Sequence, residues 1–196
     1  MAMLSCPCCP PCGGAACRVQ LGELAEEAQG LPSEVLVVLA GLTVAASTAP
    51  NQLSQWCSTA ALRDASGADE NATQPWARWR RGWTAEHNKH RQLLLSYCYL
   101  SGCIDSRALD VTMQAAVGAG CDCGSRLPYQ KLIYNAMQVR MSRVMFTNFA
   151  AVAAYHGAVH LARMATAIAT DEGRHEVAMV SGAGRCDAWQ QLVFDV

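Results

Sequence analysis

The chain has 196 residues, is 52% hydrophobic and carries only 16% charged side chains, which suits one globular domain with a sizeable core. Its formal net charge is -1, so it lacks the basic field that non-specific nucleic-acid binding requires. Of the eleven cysteines, five (Cys6, Cys8, Cys9, Cys12 and Cys17) crowd the first seventeen positions, and Cys57, Cys98, Cys103 and Cys186 stand alone. Cys121 and Cys123 form a C-x-C without a second pair, which is no zinc signature, and the pattern favours a reducing compartment over a disulfide scaffold.

Residues 1–19 are rich in Cys, Pro and Gly, and no apolar run follows a positive start, so they read as a disordered leader and not as a secretory signal. An organelle transit remnant is the alternative, weakened by few Ser and Arg residues, and no targeting segment is convincing. Leu21 to Gly30 reads as a short helix closed by glycine, and Pro32-Ser33 opens the next. That next helix is almost wholly apolar from Val35 to Ala49, with no charge between Glu34 and Arg63. The run is shorter than the roughly 20 residues a bilayer requires, so a buried core helix is expected and a membrane span is not. Pro50 ends it.

Residues 64–75 form a polar loop, and from Trp76 to Cys98 the residues Trp76, Trp79, Trp83, Leu94 and Tyr97 repeat at helical intervals. The interleaved Arg and Lys read as a solvated helical face. Ser101-Gly102 breaks this helix, and Asp105 to Val117 forms another, ended by the glycines at 118–124. A very long helix starts at Pro128, with Ile133, Met137, Val144, Met145, Phe149 and Val152 on its expected apolar side and its methionines expected in the core. An interruption near Gly157 precedes a last clear helix through Glu176. No strand pattern competes, so the fold class is all-α.

Two motifs carry chemistry: His87-Asn88-Lys89-His90 and Glu172-Gly173-Arg174-His175. In each, the first and last residues are three apart and share one helical face. Ferritin-like carboxylate proteins bind metal with a Glu-x-x-His on each of two helices and one Glu on each of two others. One such motif is intact here and the other reads His-x-x-His.

The segment WARWRRGWTAEHNKHRQLLLSYCYLSGCID (76–105) resembles the W-x-x-W-x-R-x-W-T-A-E-E-N-R-H stretch and following Leu-rich helix of the plant-type soluble acyl-acyl-carrier-protein desaturases. Gln138-Val139-Arg140 through TAIATDEGRHE resembles that family's Q-E-R-A region and its I-A-A-D-E-x-R-H-E motif, without a gap. The resemblance implies a ferritin-like helical bundle over residues 20–178, followed by a divergent tail at 179–196 where the bundle is left incomplete. It also implies a homodimeric plastid stromal enzyme that uses two irons, dioxygen and ferredoxin electrons to desaturate a chain held by acyl carrier protein. His90, Glu172 and His175 match family iron ligands. Asp171 matches the carboxylate that supports a ligand histidine, and Ser142 a hydroxyl residue beside the iron pair.

Three family carboxylates are replaced: one by His87, one by Val139, and one, counted back from Pro50, by Ala46. Two ferrous ions bring four positive charges, which Glu172 alone leaves largely uncompensated in a dry interior, so a normal diiron centre is not expected. Glu86, adjacent to His87 and four residues before His90, is a candidate substitute ligand, with a surface or capping charge as its plainer role. His87, His90, Glu172 and His175 are expected either to hold at most one transition metal or to form a metal-free polar cluster. Three functions stay open: a desaturase with altered chemistry, a non-catalytic desaturase-derived subunit in a dimer or larger assembly, and a membrane-associated protein using the uncharged helix.

Overall fold

The computed structural model describes residues 21–59, 75–120 and 128–183, and every regular element among them is an α-helix. In chain order these are α1 (Leu21–Gln29), α2 (Ser33–Ser47), α3 (Ala49–Ser58), α4 (Pro75–Ser101), α5 (Ser106–Ala119), α6 (Pro128–Tyr155) and α7 (Val159–Ala183). The polar loop expected at 64–75, except for its last residue, the leader, and Cys121, Cys123 and Cys186 lie outside the described residues.

The helix ends follow local chemistry. Thr48 closes α2 and opens α3, with Pro50 in the first turn of α3, where its missing N–H costs nothing. Asp105 caps α5 by accepting the Ala108 N–H at 3.0 Å. At the α6–α7 corner Gly157 takes φ +78°. Its N–H donates to the Ala154 carbonyl at 3.0 Å, and the Ala158 N–H reaches back to Ala153 at 2.9 Å. That pair of bonds is a Schellman cap, and the fully buried Ala153 and Ala158 supply the apolar contact that accompanies it.

The long helices α6 and α7 pack as an antiparallel hairpin, while α4 packs against α1, α2, α3 and α7. The main core joins Leu39 and Leu42 of α2, Leu94 and Cys98 of α4, Phe146 and Phe149 of α6, and Leu161 and Ile168 of α7. A second cluster gathers Trp56, Trp83, Leu132 and Met179. Between them lies the face that carries the two histidine motifs.

α2 is a core helix along one side only. Val35, Leu39, Leu42, Thr43 and Ser47 are buried, whereas Val37 is 71% exposed. Ser33–Ser58, which joins α2 and α3, is long and apolar enough to cross a membrane by length and composition, and 33% of its most apolar window is buried. Thr43 and Ser47 sit inside the core, donating to the carbonyls of Leu39 and Thr43 at 2.8 Å each. These internal bonds satisfy hydroxyls that the packed interior would otherwise strand.

The expected apolar side of α6 is corrected by the structure. Ile133, Met137, Val144, Met145 and Val152 are exposed, and of the residues named only Phe149 is buried. The inward face is instead Leu132, Asn135, Val139, Phe146, Phe149, Ala150 and Ala153. Both faces of α6 are apolar, so periodicity alone offered no contrast with which to choose between them. The expectation that the methionines of this helix fill the core fails for the same reason, since Met137, Met141 and Met145 all face outward.

Candidate metal centre

His87 and His90 lie on α4, Glu172 and His175 on α7, and the structure brings all four together. His90 and His175 are 4% exposed and Glu172 only 2%. Glu172 is the hub. Its Oε1 stands 3.3 Å from His87 Nε2 and 3.4 Å from His90 Nδ1, and its Oε2 lies 3.7 Å from His175 Nδ1. The last separation is too long for a full hydrogen bond, and both atoms are buried with no other hydrogen-bond partner. The His87 and His175 rings stack with centroids 5.0 Å apart, and Trp83 packs against His87 at 3.9 Å.

Around this hub stand outer acceptors. Asp171 Oδ2 lies 3.0 Å from His90 Nε2, Glu86 Oε2 lies 2.6 Å from His175 Nε2, and the Trp83 carbonyl lies 3.0 Å from His87 Nδ1. Arg174 closes the rim, 2.6 Å from Asp171 and 3.5 Å from Glu86. Asp171 thus touches a histidine of the other motif at the ring nitrogen turned away from Glu172.

The electrostatics follow from burial and proximity. Burial, reinforced by the neighbouring His175 and His90, drives His87 down to about 4 against the pull of Glu172. Burial would raise Glu172, yet the surrounding imidazoles outweigh it and hold the carboxyl down at about 2. His90 is held above its ordinary value because Glu172 and Asp171, accepting on either side of its ring, overcome the burial that opposes its charge.

Val139 and Ala46, which the resemblance marks as replaced carboxylate ligands, offer no donor atoms. Val139 is buried at 4% exposure on α6, and Ala46 packs against the main core from α2. Ser142 is half-buried on α6, and no hydrogen bond joins it to the cluster. The residues present do not fit two irons, because bridging carboxylates are required and, among the described residues, Glu172 is the single carboxylate in the inward-facing cluster. They do fit one ion: His87, Glu172 and His175 offer ligand atoms all within 4.8 Å of one another.

A buried cluster of carboxylate and imidazoles shared between long antiparallel helices is the architecture of ferritin-like metal proteins. The chain belongs to the fatty acid desaturase family, whose model matches residues 9–185. It is 38% identical to acyl-(acyl-carrier-protein) desaturase 4, chloroplastic, of Oryza sativa subsp. japonica over 91% of this chain and 43% of that protein. It is 40% identical to stearoyl-(acyl-carrier-protein) 9-desaturase 6, chloroplastic, of Arabidopsis thaliana over 82% of this chain and 41% of that protein. It is 36% identical to palmitoyl-(acyl-carrier-protein) 4-desaturase, chloroplastic, of Coriandrum sativum over 81% and 41%. The chain therefore spans about two-fifths of the length of these relatives. The resemblance read from the two motifs and the all-helical fold expected from it are both met.

Proposed function

We propose that this chain serves plastid fatty acid metabolism as an acyl-acyl-carrier-protein desaturase-like protein that holds at most one transition metal and does not insert double bonds at its relatives' rate. The names of its relatives support acyl carrier protein as the partner that presents the acyl chain, and the plastid as the compartment. Ferredoxin is the electron donor that the family resemblance implies. One observation carries the departure from the family reaction: Val139 and Ala46 offer no donor atoms toward a cluster whose single inward carboxylate is Glu172.

Purified protein supplied with stearoyl-acyl carrier protein, dioxygen, ferredoxin and reductant gives no oleoyl product above background by gas chromatography. Product formed at the rate of a two-iron relative, and lost on His175→Ala, overturns the proposal. A second reading, a non-catalytic subunit of a homodimer or larger assembly, draws support from the outward face of α6, where Met137, Met141, Val144 and Val152 are exposed together.

A further inference from the structure

The three imidazoles around Glu172 are each clamped on the ring nitrogen that faces away from it. For His87 the clamp is a backbone carbonyl: the Trp83 oxygen, 3.0 Å from Nδ1, can only accept. Nδ1 must then carry the proton, and Nε2 presents its lone pair to Glu172 at 3.3 Å. For His90 and His175 the clamps are carboxylates, Asp171 on one Nε2 and Glu86 on the other. An ionised carboxylate likewise only accepts, so each Nε2 donates and each Nδ1 is left facing Glu172.

We infer that Glu86 is a positioning residue: by accepting the Nε2–H of His175 it presents His175 Nδ1, together with His87 Nε2 and Glu172, as a preformed site for one zinc-type divalent cation. The inference rests on the one-metal reading above and adds to it the residue that builds the site. Glu86 is an outer support and not a ligand, because its carboxylate meets the opposite ring nitrogen and it stands outside the His87, Glu172 and His175 triad. The short donor separation, 3.3 Å from Glu172 Oε1 to His87, matches the edge of about 3.3 Å expected of a tetrahedron with metal bonds near 2.0 Å. His90 stands outside the triad whose ligand atoms all lie within 4.8 Å of one another, so the fourth corner is left for a water ligand. The buried, unpartnered Glu172 Oε2 and His175 Nδ1 are two acceptors facing each other, an arrangement that a cation between them resolves.

Charge selects the number and valence of the ion. Glu172, Asp171 and Glu86 supply three negative charges, and a single divalent ion with the Arg174 guanidinium neutralises them. A second divalent ion would leave excess positive charge on the same side chains. In this arrangement the replacement of a family carboxylate by His87 adds a nitrogen donor, while Glu86 stays on the far side of the His175 ring.

The test is titration of metal-free full-length protein with cobalt(II), followed by visible absorption. One equivalent binds with the strong d–d bands of a four-coordinate ion. Glu86→Ala weakens binding by about 10- to 100-fold and shifts those bands, as loss of an outer partner does at other imidazole sites. Glu86→Gln, whose amide oxygen still accepts the Nε2–H, falls between. Arg140→Ala, which removes an exposed ion pair from α6 to Glu176 and touches none of these groups, binds like the wild type. Far-UV circular dichroism of the metal-free variants, expected to be unchanged, separates loss of the site from loss of the fold. If Glu86→Ala binds cobalt as tightly as wild type with the same spectrum, the role of Glu86 falls while the one-metal reading stands. If the wild type takes up no cobalt, the preformed site falls while the reading of at most one metal stands, and if it takes up two equivalents, both fall.

Discussion

Glu27 of α1 caps a helix 133 residues away: its Oε2 accepts from the His160 backbone N–H and lies 2.9 Å from the His160 ring, and its Oε1 accepts the Leu161 N–H at 3.0 Å. The first turn of α7 has N–H groups without helical partners, and a carboxylate there also meets the positive end of the helix dipole. Tyr97 of α4 donates to the same carboxylate at 3.2 Å, so one side chain ties three helices together. Glu27→Ala is expected to lower stability by about 2 kcal/mol or more, since it removes a cap and strands a buried phenol. Chemical denaturation measures this, and an unchanged midpoint would remove Glu27 from the account of how α7 is anchored.

The same residue gives a pH dependence of known sign. Burial opposes its charge, but the donors from His160 and Leu161 prevail and hold Glu27 below the ordinary carboxylate range. A depressed carboxyl contributes stability that is present above the unfolded value and is lost as pH falls through the folded one. The acid limb of a stability-versus-pH curve is therefore expected to flatten in Glu27→Gln, below about pH 4.5.

His87 and His90 act in opposite directions closer to neutrality. His87 is driven down to about 4, so between there and its unfolded value of 6.5 the unfolded chain binds a proton that the folded chain refuses. Its contribution is lost as pH falls through that window. His90 is held above its usual value, so its contribution is complete below 6.5 and is lost as pH rises through the folded value. In metal-free protein, His87→Gln is expected to blunt the decline below pH 6.5 and His90→Gln the decline above it. Thermal melts of the two variants at matched pH, showing the same slopes as wild type, would contradict the assignment.

These contrasts show which parts of the molecule were legible beforehand. The histidine motifs were legible because residues three apart on a helix share a face whatever packs against it, and both motifs do meet. Cap signals at Pro32, Asp105 and Gly157 were equally local. The direction of α6 was not, since Met137 and Val144 are as apolar as Val139 and Phe146, and only tertiary contacts separate the two faces. The reach of Glu27 to α7 and of Glu86 to His175 depends on how distant helices pack, which no spacing within one helix encodes.

Metal removal offers a direct stability test. An ion that binds only the folded chain adds about 2.7 kcal/mol at a hundredfold excess over its dissociation constant. Zinc is thus expected to raise the thermal midpoint of chelator-treated protein by several degrees, and the increase should vanish in His175→Ala. A midpoint indifferent to zinc in the wild type would argue for a metal-free polar cluster.

Restoring the missing carboxylates probes the site from the other side. Val139 is buried, and placing a carboxylate there without a cation costs several kcal/mol, so Val139→Glu alone is expected to destabilise metal-free protein strongly. Ala46 is half-buried on α2, and His87 already faces Glu172, so Ala46→Glu and His87→Glu add charge with a smaller penalty. Combined, the three substitutions bring the carboxylate number from one to four, the balance that two divalent ions require. Iron supplied to the triple variant should therefore raise the bound metal from at most one per chain toward two and reverse most of the instability caused by Val139→Glu. Elemental analysis and a thermal melt with and without iron measure the two effects together. If the triple variant folds yet binds no additional iron, the assignment of Ala46, His87 and Val139 to the replaced ligand positions must be abandoned.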